Sequence, residues 1–519
     1  MKKAIYLIIV LIGLSAPSCS DSMLDFSPTD SGSGKELLKS ASTAITSVNG
    51  VYRSMWTAGW STTANTHQCF GIAAYNLALD CMADDLIMQS QGNGWFWGDH
   101  CYNVKSNYTS SAFRSYDVWY ANYKWIANVN YIIDAEPEMA GTEADVAYVA
   151  GQAYAIRALC YLNLATWFSR APYNSLTGAS RWNEPCVPVY TTGTSIDTGG
   201  QPRESLRTVY GRIDQDIDRA IELLEKARET TLAENNKSHI NLYVALGIKS
   251  RACLAEGDWD GAFKAAKRVI DEGGYAVGTK SDLTGGMNSL DKQNVMWGAG
   301  IQVADQAGGY AGFFTHMDNK EGAYAKSAPK LISKQLYNRI SATDIRRDWW
   351  DPSDKESPYV SKKFSFANVA SFLGDYIYMR VEEMYFTAAE AALRLDDLKS
   401  ARELMNTVMA ERDPGYSANN RSGTLLGATT TTWTGSFLEN ILTHRRIELW
   451  GEYGRLFDVR RLGQGIDRRT DDGFSEECIS MMNRRNVNIT KADTYDWVLT
   501  IPKAELDANP NINEEDQNP

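Results

Sequence analysis

Two stretches of equal length, Asn241 to Gly273 and Arg380 to Arg412, carry the same residue pattern, and this repetition constrains the fold more than any other feature of the chain. Ala252, Leu254, Asp258, Ala262 and Val269 in the first fall on Ala391, Leu393, Asp397, Ala401 and Val408 in the second. Apolar residues recur at helical spacing on both sides of a short polar turn, Gly257-Asp258 or Asp396-Asp397. A second helix then begins with a bulky residue, Trp259 or Leu398, followed three positions on by a small one. Small residues there let two antiparallel helices approach closely. Each hairpin leaves an apolar face that only another hairpin covers, so several must stack into one core.

The pattern resembles the tetratricopeptide repeat. A third helix pair is expected from Ala147 to Phe168 with Leu206 to Leu224, separated by an insertion holding Pro172, Pro185, Pro188 and Pro202. A fourth begins at Phe437 and runs through Arg445, Ile447, Leu449 and Trp450. The expected fold is mostly α: tetratricopeptide-like helical-hairpin repeats forming a superhelical body, with long irregular loop insertions and little β. Between the helices lie Thr57 to Ser110, Gly274 to Tyr376 and Tyr416 to Thr434, too long and too rich in glycine and aromatics to be plain connectors. Loops of that length usually carry function, so a ligand site belongs on them.

With 519 residues, 44% hydrophobic and 22% charged, the chain has the composition of an ordinary folded protein. Its 52 Lys+Arg against 64 Asp+Glu give a net charge of -12. Nucleic acid is therefore a poor partner, since its binding draws on neutralised phosphates.

Lys2 and Lys3 precede an apolar run, Ala4 to Leu14, then small residues and Cys19. This is the order of a secretory signal, and its core of about 11 residues is shorter than a bilayer-spanning helix needs. Cys19 stands where cleavage would fall, so residues 1–18 resemble a bacterial lipoprotein signal with Cys19 as the lipidated first mature residue. Ala16, Pro17 and Ser18 depart from the residues most often found before such a cysteine. Residues 19–34, rich in Ser, Asp and Gly, read as a flexible tether. The folded body is expected over 35–519, with an N-terminal part to 273 and a C-terminal part from 274. Seven cysteines remain after Cys19, without a Cys-x-x-Cys pair. Cys160 and Cys253 read as core residues, and one bridge among Cys69, Cys81 and Cys101 is possible, its pairing open.

The search for catalytic groups finds little. The five histidines show no His-x-x-x-His spacing, so no zinc ligand set is visible and no metal is expected. There is no Gly-x-Ser-x-Gly elbow, phosphate loop or dinucleotide fingerprint, so no cofactor is expected. Asp84 and Asp85 are adjacent and project differently on a helix or strand, unlike the facing carboxylates of glycosidases. They read either as a polar turn or cap after the Leu77 to Met82 helix, or as a hydrogen-bonding ligand contact.

The stretch Gly92-Asn93-Gly94-Trp95-Phe96-Trp97-Gly98-Asp99-His100 sets three aromatics between glycines. Taken as extended, it points Trp95 and Trp97 to one side and Phe96 to the other. Two indoles on one face suit the C–H face of a sugar ring, with Asn93, Asp99 and Asn103 placed to bond hydroxyls at its edge. The alternative is that one or both indoles pack into the core. Trp56, Trp60 and Tyr108 are further candidates on the same loop system; Trp297 and the Trp349-Trp350 pair are weaker ones.

Several segments together resemble one family, the SusD/RagB outer-membrane nutrient-binding lipoproteins. Cys19 followed by Leu24-Asp25 and Pro28 is similar to the family's opening, and Ile126 through Asn130 to its Ile-x-x-x-Asn helix end. Arg157-Ala158 through Phe168, with Ala171-Pro172, resembles its Arg-Ala-x-x-Tyr helix and following loop. Arg380 through Glu383 leads to Ala389-Glu390-Ala391 as in the family's Arg-x-x-Glu...Ala-Glu-Ala helix. The closest stretch is Arg445-Arg446-Ile447-Glu448-Leu449-Trp450-Gly451-Glu452 with Gly454 through Gly463. Leu499 to Pro502, Glu505 and Asn509-Pro510-Asn511 match the closing segment. His444 stands where Glu is common, and Tyr453 interrupts the usual Glu-Gly.

The resemblance implies a helical body whose irregular insertions build the ligand surface, and a chain that binds cargo without transforming it. It implies a lipid-anchored protein of the cell outer membrane, facing the exterior. Its partners would be a SusC-like TonB-dependent transporter and a nutrient glycan, or in some members a peptide. A secreted polymer hydrolase is the remaining alternative. Glu448, Glu452, Arg455 and Asp458 are expected to be structural, pairing with helical neighbours.

Overall fold

The computed structural model describes residues 34–61, 65–103, 113–195, 197–233, 237–305, 310–492 and 494–519. Cys19, the signal, almost all of the tether and Tyr108 lie outside the described residues. The protein is mostly helical. Helices α1 (Ala41–Ser54), α2 (Ile72–Met82), α3 (Phe113–Ala135), α4 (Glu143–Phe168) and α5 (Leu206–Lys226) form the N-terminal part. There follow α6 (Leu242–Glu256), α7 (Trp259–Glu272), α8 (Val381–Arg394), α9 (Leu398–Ala410), α10 (Phe437–Glu448), α11 (Arg455–Leu462), α12 (Glu476–Arg484) and α13 (Lys503–Ala508).

The two overlaid stretches fold as the sequence predicts. In α6–α7 and α8–α9 the chain reverses through Gly257 (φ 75) and Asp396 (φ 63), both left-handed. A Cβ on Gly257 would come within 2.5 Å of the Tyr173 ring, so that copy requires glycine. At matching positions Asp258 and Asp397 cap the second helix, each carboxylate accepting an N–H three residues on, from Gly261 and Ser400, at 3.0 Å. Ala262 and Ala401 are fully buried, and α7 packs on α8, so the hairpins stack in sequence. α4 packs on α5 as expected, and α3 packs on α4 as a further pair.

The expected fourth pair differs. α10 packs on α8, but α11 packs on α2, close to four hundred residues earlier in the chain, so the C-terminal segment closes the body against its N-terminal part. The little β structure has the same effect. A four-stranded antiparallel sheet orders β1 (Leu86–Met88), β3 (Lys330–Ile332), β5 (Val360–Ser361) and β4 (Trp350–Asp351), with Leu86 opposite Ile332. β2 (Val295–Ala299) and β6 (Tyr376–Arg380) form a separate pair.

The charged residues matched in the sequence are structural, but apart from Asp458 with Arg461, three positions on in the same helix, they pair with distant segments rather than with helical neighbours. Glu448 is fully buried and receives Arg346 at 3.0 Å, Arg380 at 3.0 Å and Arg412 at 2.9 and 3.0 Å. Arg380 continues to Glu452 at 2.7 and 2.9 Å, and Lys363 lies 2.5 Å from Glu452. Arg412 also reaches Glu382 at 2.8 Å. Asp458 joins Arg445 at 2.8 Å and Arg461 at 2.7 Å, and Arg461 grips Glu390 at 2.9 and 2.7 Å. Side chains four apart meet only in pairs, whereas a buried carboxylate needs several donors, which distant segments supply. Burial alone would raise the Glu448 carboxyl; Arg412, Arg380 and Arg346 outweigh it and hold it well below the usual range. Asp458, between Arg445 and Arg461, is also held low against its burial.

Glu448→Gln leaves three buried guanidinium groups short of a counter-charge, and is expected to cost about 3 to 5 kcal/mol in denaturant unfolding. Acid should act on the same groups. In the unfolded chain these carboxyls take up protons at about pH 4, while in the folded chain Glu448 and Asp458 stay ionised below that. The unfolded state then binds more protons, so stability should fall steadily as pH drops below about 4. A melting temperature unchanged between pH 5 and pH 3 would contradict this.

Candidate functional site

The segment after β1 turns sharply rather than running extended. Gly92 (φ 51) sits against Ser327 and Ala328, where a Cβ would meet Ala328 Cβ at 2.7 Å. Gly94 (φ 87) and Phe96 (φ 60) are also left-handed, and Trp97–His100 then forms one helical turn. The two indoles therefore point apart, which corrects the expectation of a two-indole platform. Trp97 is buried, 4% exposed, against the His100 ring at 5.6 Å. Phe96 is fully buried beside His316 and Phe70.

Asp99 also faces inward. It takes a two-pronged bond from Arg114 at 2.9 Å on each oxygen, and Arg114 reaches Asp117 at 3.3 Å. A carboxylate so paired inside the protein has little left to offer a ligand. Asp84 is a second correction. It is buried with Asp85 between Arg446 and Arg455, at 2.9 and 3.2 Å from Asp84. Burial opposes its charge, but the two arginines prevail and hold its carboxyl at about 2. The pair anchors the turn after α2, as Trp450 Nε1 does by donating to Asp85 O at 2.9 Å. Trp297, Trp349 and Trp350 are core residues.

What remains outward is Trp95 with Asn93. Trp95 is half-buried and packs on His67, ring centroids 5.0 Å apart. Tyr324 meets His67 edge-on at 5.3 Å and Trp95 at 6.1 Å. Tyr310 stands at 6.1 Å from both His67 and Tyr324 and at 5.5 Å from Phe372. Tyr310 is 43% exposed. Tyr324 Oη lies 2.6 Å from His67 Nδ1, and His67 O lies 2.5 Å from His316 Nε2. Asn93 Oδ1 accepts from Ser327 Oγ at 2.5 Å. The result is an aromatic cluster built from residues 67, 93–95, 310, 324 and 372, in which Tyr310 and Asn93 are exposed, Trp95, His67 and Phe372 half-buried, and Tyr324 buried beneath them.

Trp60 belongs elsewhere. It stacks on the buried Trp125 at 5.8 Å, with Lys124 Nζ 4.4 Å above its ring. Trp56 is half-buried beneath Arg53, and Asn103 follows the turn, donating its backbone N–H to Gly98 O at 2.7 Å. His67, Tyr310, Tyr324 and Phe372 were missed in the sequence. Their one signal is that the 57–110 and 274–376 insertions are both aromatic-rich, which does not say that they meet. Among the described residues no group of His, Cys, Asp or Glu is arranged to hold a metal, no helix is long and apolar enough to cross a membrane, and the seven cysteines are buried and form no disulfide.

Comparison with known proteins agrees with this architecture. Residues 326–519 match the model of the SusD family, and residues 42–254 match one described as starch-binding and associating with the outer membrane. A SusD-like carbohydrate-binding protein from Bacteroides vulgatus superposes with a TM-score of 0.72 at 25% identity, over 92% of this chain and 98% of its own. A SusD superfamily protein from Bacteroides thetaiotaomicron gives 0.72 at 22% identity, over 92% and 100%. Surface glycan-binding protein A from Bacteroides thetaiotaomicron, solved with laminarihexaose, shares the fold at 0.61 and 16% identity, over 92% and 99%. No curated protein matches the sequence. The chain belongs to the SusD/RagB family of carbohydrate-binding proteins.

The two tryptophans should separate cleanly in stability. Trp97→Ala empties a core position and is expected to lose about 3 to 5 kcal/mol. Trp95→Ala should lower stability by less than half as much; equal losses in calorimetric melting would refute the division of the loop into an inner and an outer face.

Proposed function

We propose that the chain is a surface-exposed, lipid-anchored outer-membrane protein that captures a nutrient glycan on the Trp95–Tyr310 patch and passes it to a SusC-like TonB-dependent transporter without altering it. The observation that carries the reading is the grouping of Trp95, Tyr310, Tyr324 and His67 on irregular insertions, with Tyr310 open to solvent. Ring faces there suit the C–H faces of sugars, and Asn93 offers a polar edge. The family's models and the glycan complex of a structural relative support the ligand class. The order of Lys2, Lys3, the apolar run and Cys19 supports export and lipidation, with residues 1–18 removed and 19–34 as tether. The same patch, read as a cleft for an extended peptide, is the competing function within the family.

An open site of this kind is expected to bind weakly, about micromolar to millimolar, or roughly 8 to 4 kcal/mol. Affinity electrophoresis in gels containing laminarin, starch, xylan or pectin, beside pull-down from a peptide pool, tests the class. Retention by one polysaccharide is expected, and Trp95→Ala and Tyr310→Ala should each weaken it by about 1 to 3 kcal/mol with little change in melting temperature. Retention by peptides alone would sink the glycan reading.

A further inference from the structure

A second concave surface lies away from the Trp95 patch. It is a cavity of about 390 Å³ between α3, residues Tyr190, Thr194, Ser195 and Thr198, and Glu505 of α13. Its size falls within the roughly 300 to 1,000 Å³ of small-molecule sites. One wall is aromatic: Trp119, Tyr120 and Tyr123 from α3, with Tyr190 opposite. Tyr123 meets Trp119 at 4.8 Å and Tyr190 edge-on at 5.9 Å. Tyr116 stacks parallel on Tyr120 at 5.4 Å, which extends the aromatic face by one helical turn.

The polar ends of these rings are already tied down. Tyr123 Oη donates to Pro188 O at 2.8 Å, Tyr190 Oη accepts from Gln201 N at 3.0 Å, and Trp119 Nε1 donates to Glu505 at 3.2 Å. Asp134 accepts from Gly193 N at 2.7 Å, fixing the far lip to the end of α3. The rings of Trp119, Tyr123 and Tyr190 are thus held in place where they line the cavity. Around them stand groups with unused hydrogen-bonding capacity. Lys124 Nζ sits 5.2 Å from the Tyr120 ring and 4.4 Å from Trp60, and among the described residues no carboxylate pairs with it. Glu505 accepts one bond on each oxygen, from Trp119 and Asn509, and each oxygen keeps a further lone pair.

Fixed ring faces, one ammonium, one carboxylate and loop hydroxyls at the rim are the chemistry of a saccharide, whose C–H faces stack while its hydroxyls both donate and accept. We propose that this cavity is a second saccharide site, which holds another stretch of the same glycan that lies on the Trp95 patch. The proposal rests on the glycan reading of that patch. Lys124, which lines the cavity, also lies over Trp60, and the seven residues of chain from Trp60 to His67 in the patch span at most about 25 Å. Two weak sites on one strand give far stronger retention than either alone.

Affinity electrophoresis in the laminarin, starch, xylan and pectin gels decides it, with the parent chain, Trp95→Ala, the pair Tyr120→Ala/Lys124→Ala, and all three together. Tyr120 and Lys124 lie on the solvent side of α3, so unchanged circular dichroism melting is expected for the pair. In the gel that retains the parent, the pair should weaken retention at least about tenfold. Trp95→Ala should keep residual retention that the triple variant loses. Complete loss in Trp95→Ala alone overturns the second site and leaves the first standing. A triple variant retained as well as Trp95→Ala also overturns it, and a parent retained by none of the four gels removes both readings.

Discussion

The buried Glu448 carboxylate, held among Arg346, Arg380 and Arg412, is the interaction on which the rest of the architecture depends. A charge taken out of water costs several kcal/mol unless matched by good geometry, and three guanidinium groups supply it here. Those arginines come from the 274–376 insertion, the strand before α8 and the end of α9, while Glu448 ends α10. No segment satisfies the carboxylate alone. The cluster therefore penalises any packing in which the insertion, the α8–α9 hairpin and α10 are not all in register, which favours one arrangement over alternatives of similar apolar burial.

The same logic extends to the loops that bear the aromatic patch. Arg446, beside Glu448 in sequence, grips Asp84 and Asp85, and Trp450 bonds the Asp85 carbonyl. Arg468 bonds the carbonyls of Cys81 and Ala83 at 2.9 and 2.7 Å. Arg114 then holds Asp99 from the other side. The loop is thus pinned on its inner face by charge and by Phe96 and Trp97, leaving Asn93 and Trp95 outward. Residues read from sequence as ligand contacts, Asp84, Asp99 and Trp97, are the ones that hold the outer face rigid. Such rigidity reduces the entropy lost when a ligand settles on the surface.

What was legible in the sequence divides along the range of the interactions involved. The hairpins were readable because their determinants are local: Asp258 and Asp397 as caps, Gly257 and Asp396 at the reversal, Ala262 and Ala401 at the close approach. The pairing of Glu448 was not, since its partners lie 36 to 102 positions away and nothing in a single sequence couples them. The side on which Trp97 falls depends on the left-handed turn at Phe96, a conformation that a bulky residue rarely takes and that its buried contacts impose. Trp95 and Asn93 were found from their glycine-rich surroundings, whereas Tyr310 and Tyr324, more than two hundred residues on, join them only through the tertiary fold.

The weak binding proposed for each aromatic surface would suit a protein that releases what it captures. A deep site closed on all sides would gain affinity by burying the whole ligand and would slow its departure, because affinity differences lie mostly in the off-rate. Shallow aromatic faces fixed in advance lose little entropy on binding and exclude little water, so each contact opens readily. Retention of a long chain then comes from the number of faces it touches at once, and falls away as the chain is drawn off them one by one. A rigid helical frame that carries one proposed face on irregular insertions and the other on α3 would meet both demands, since the frame keeps the two at fixed separation.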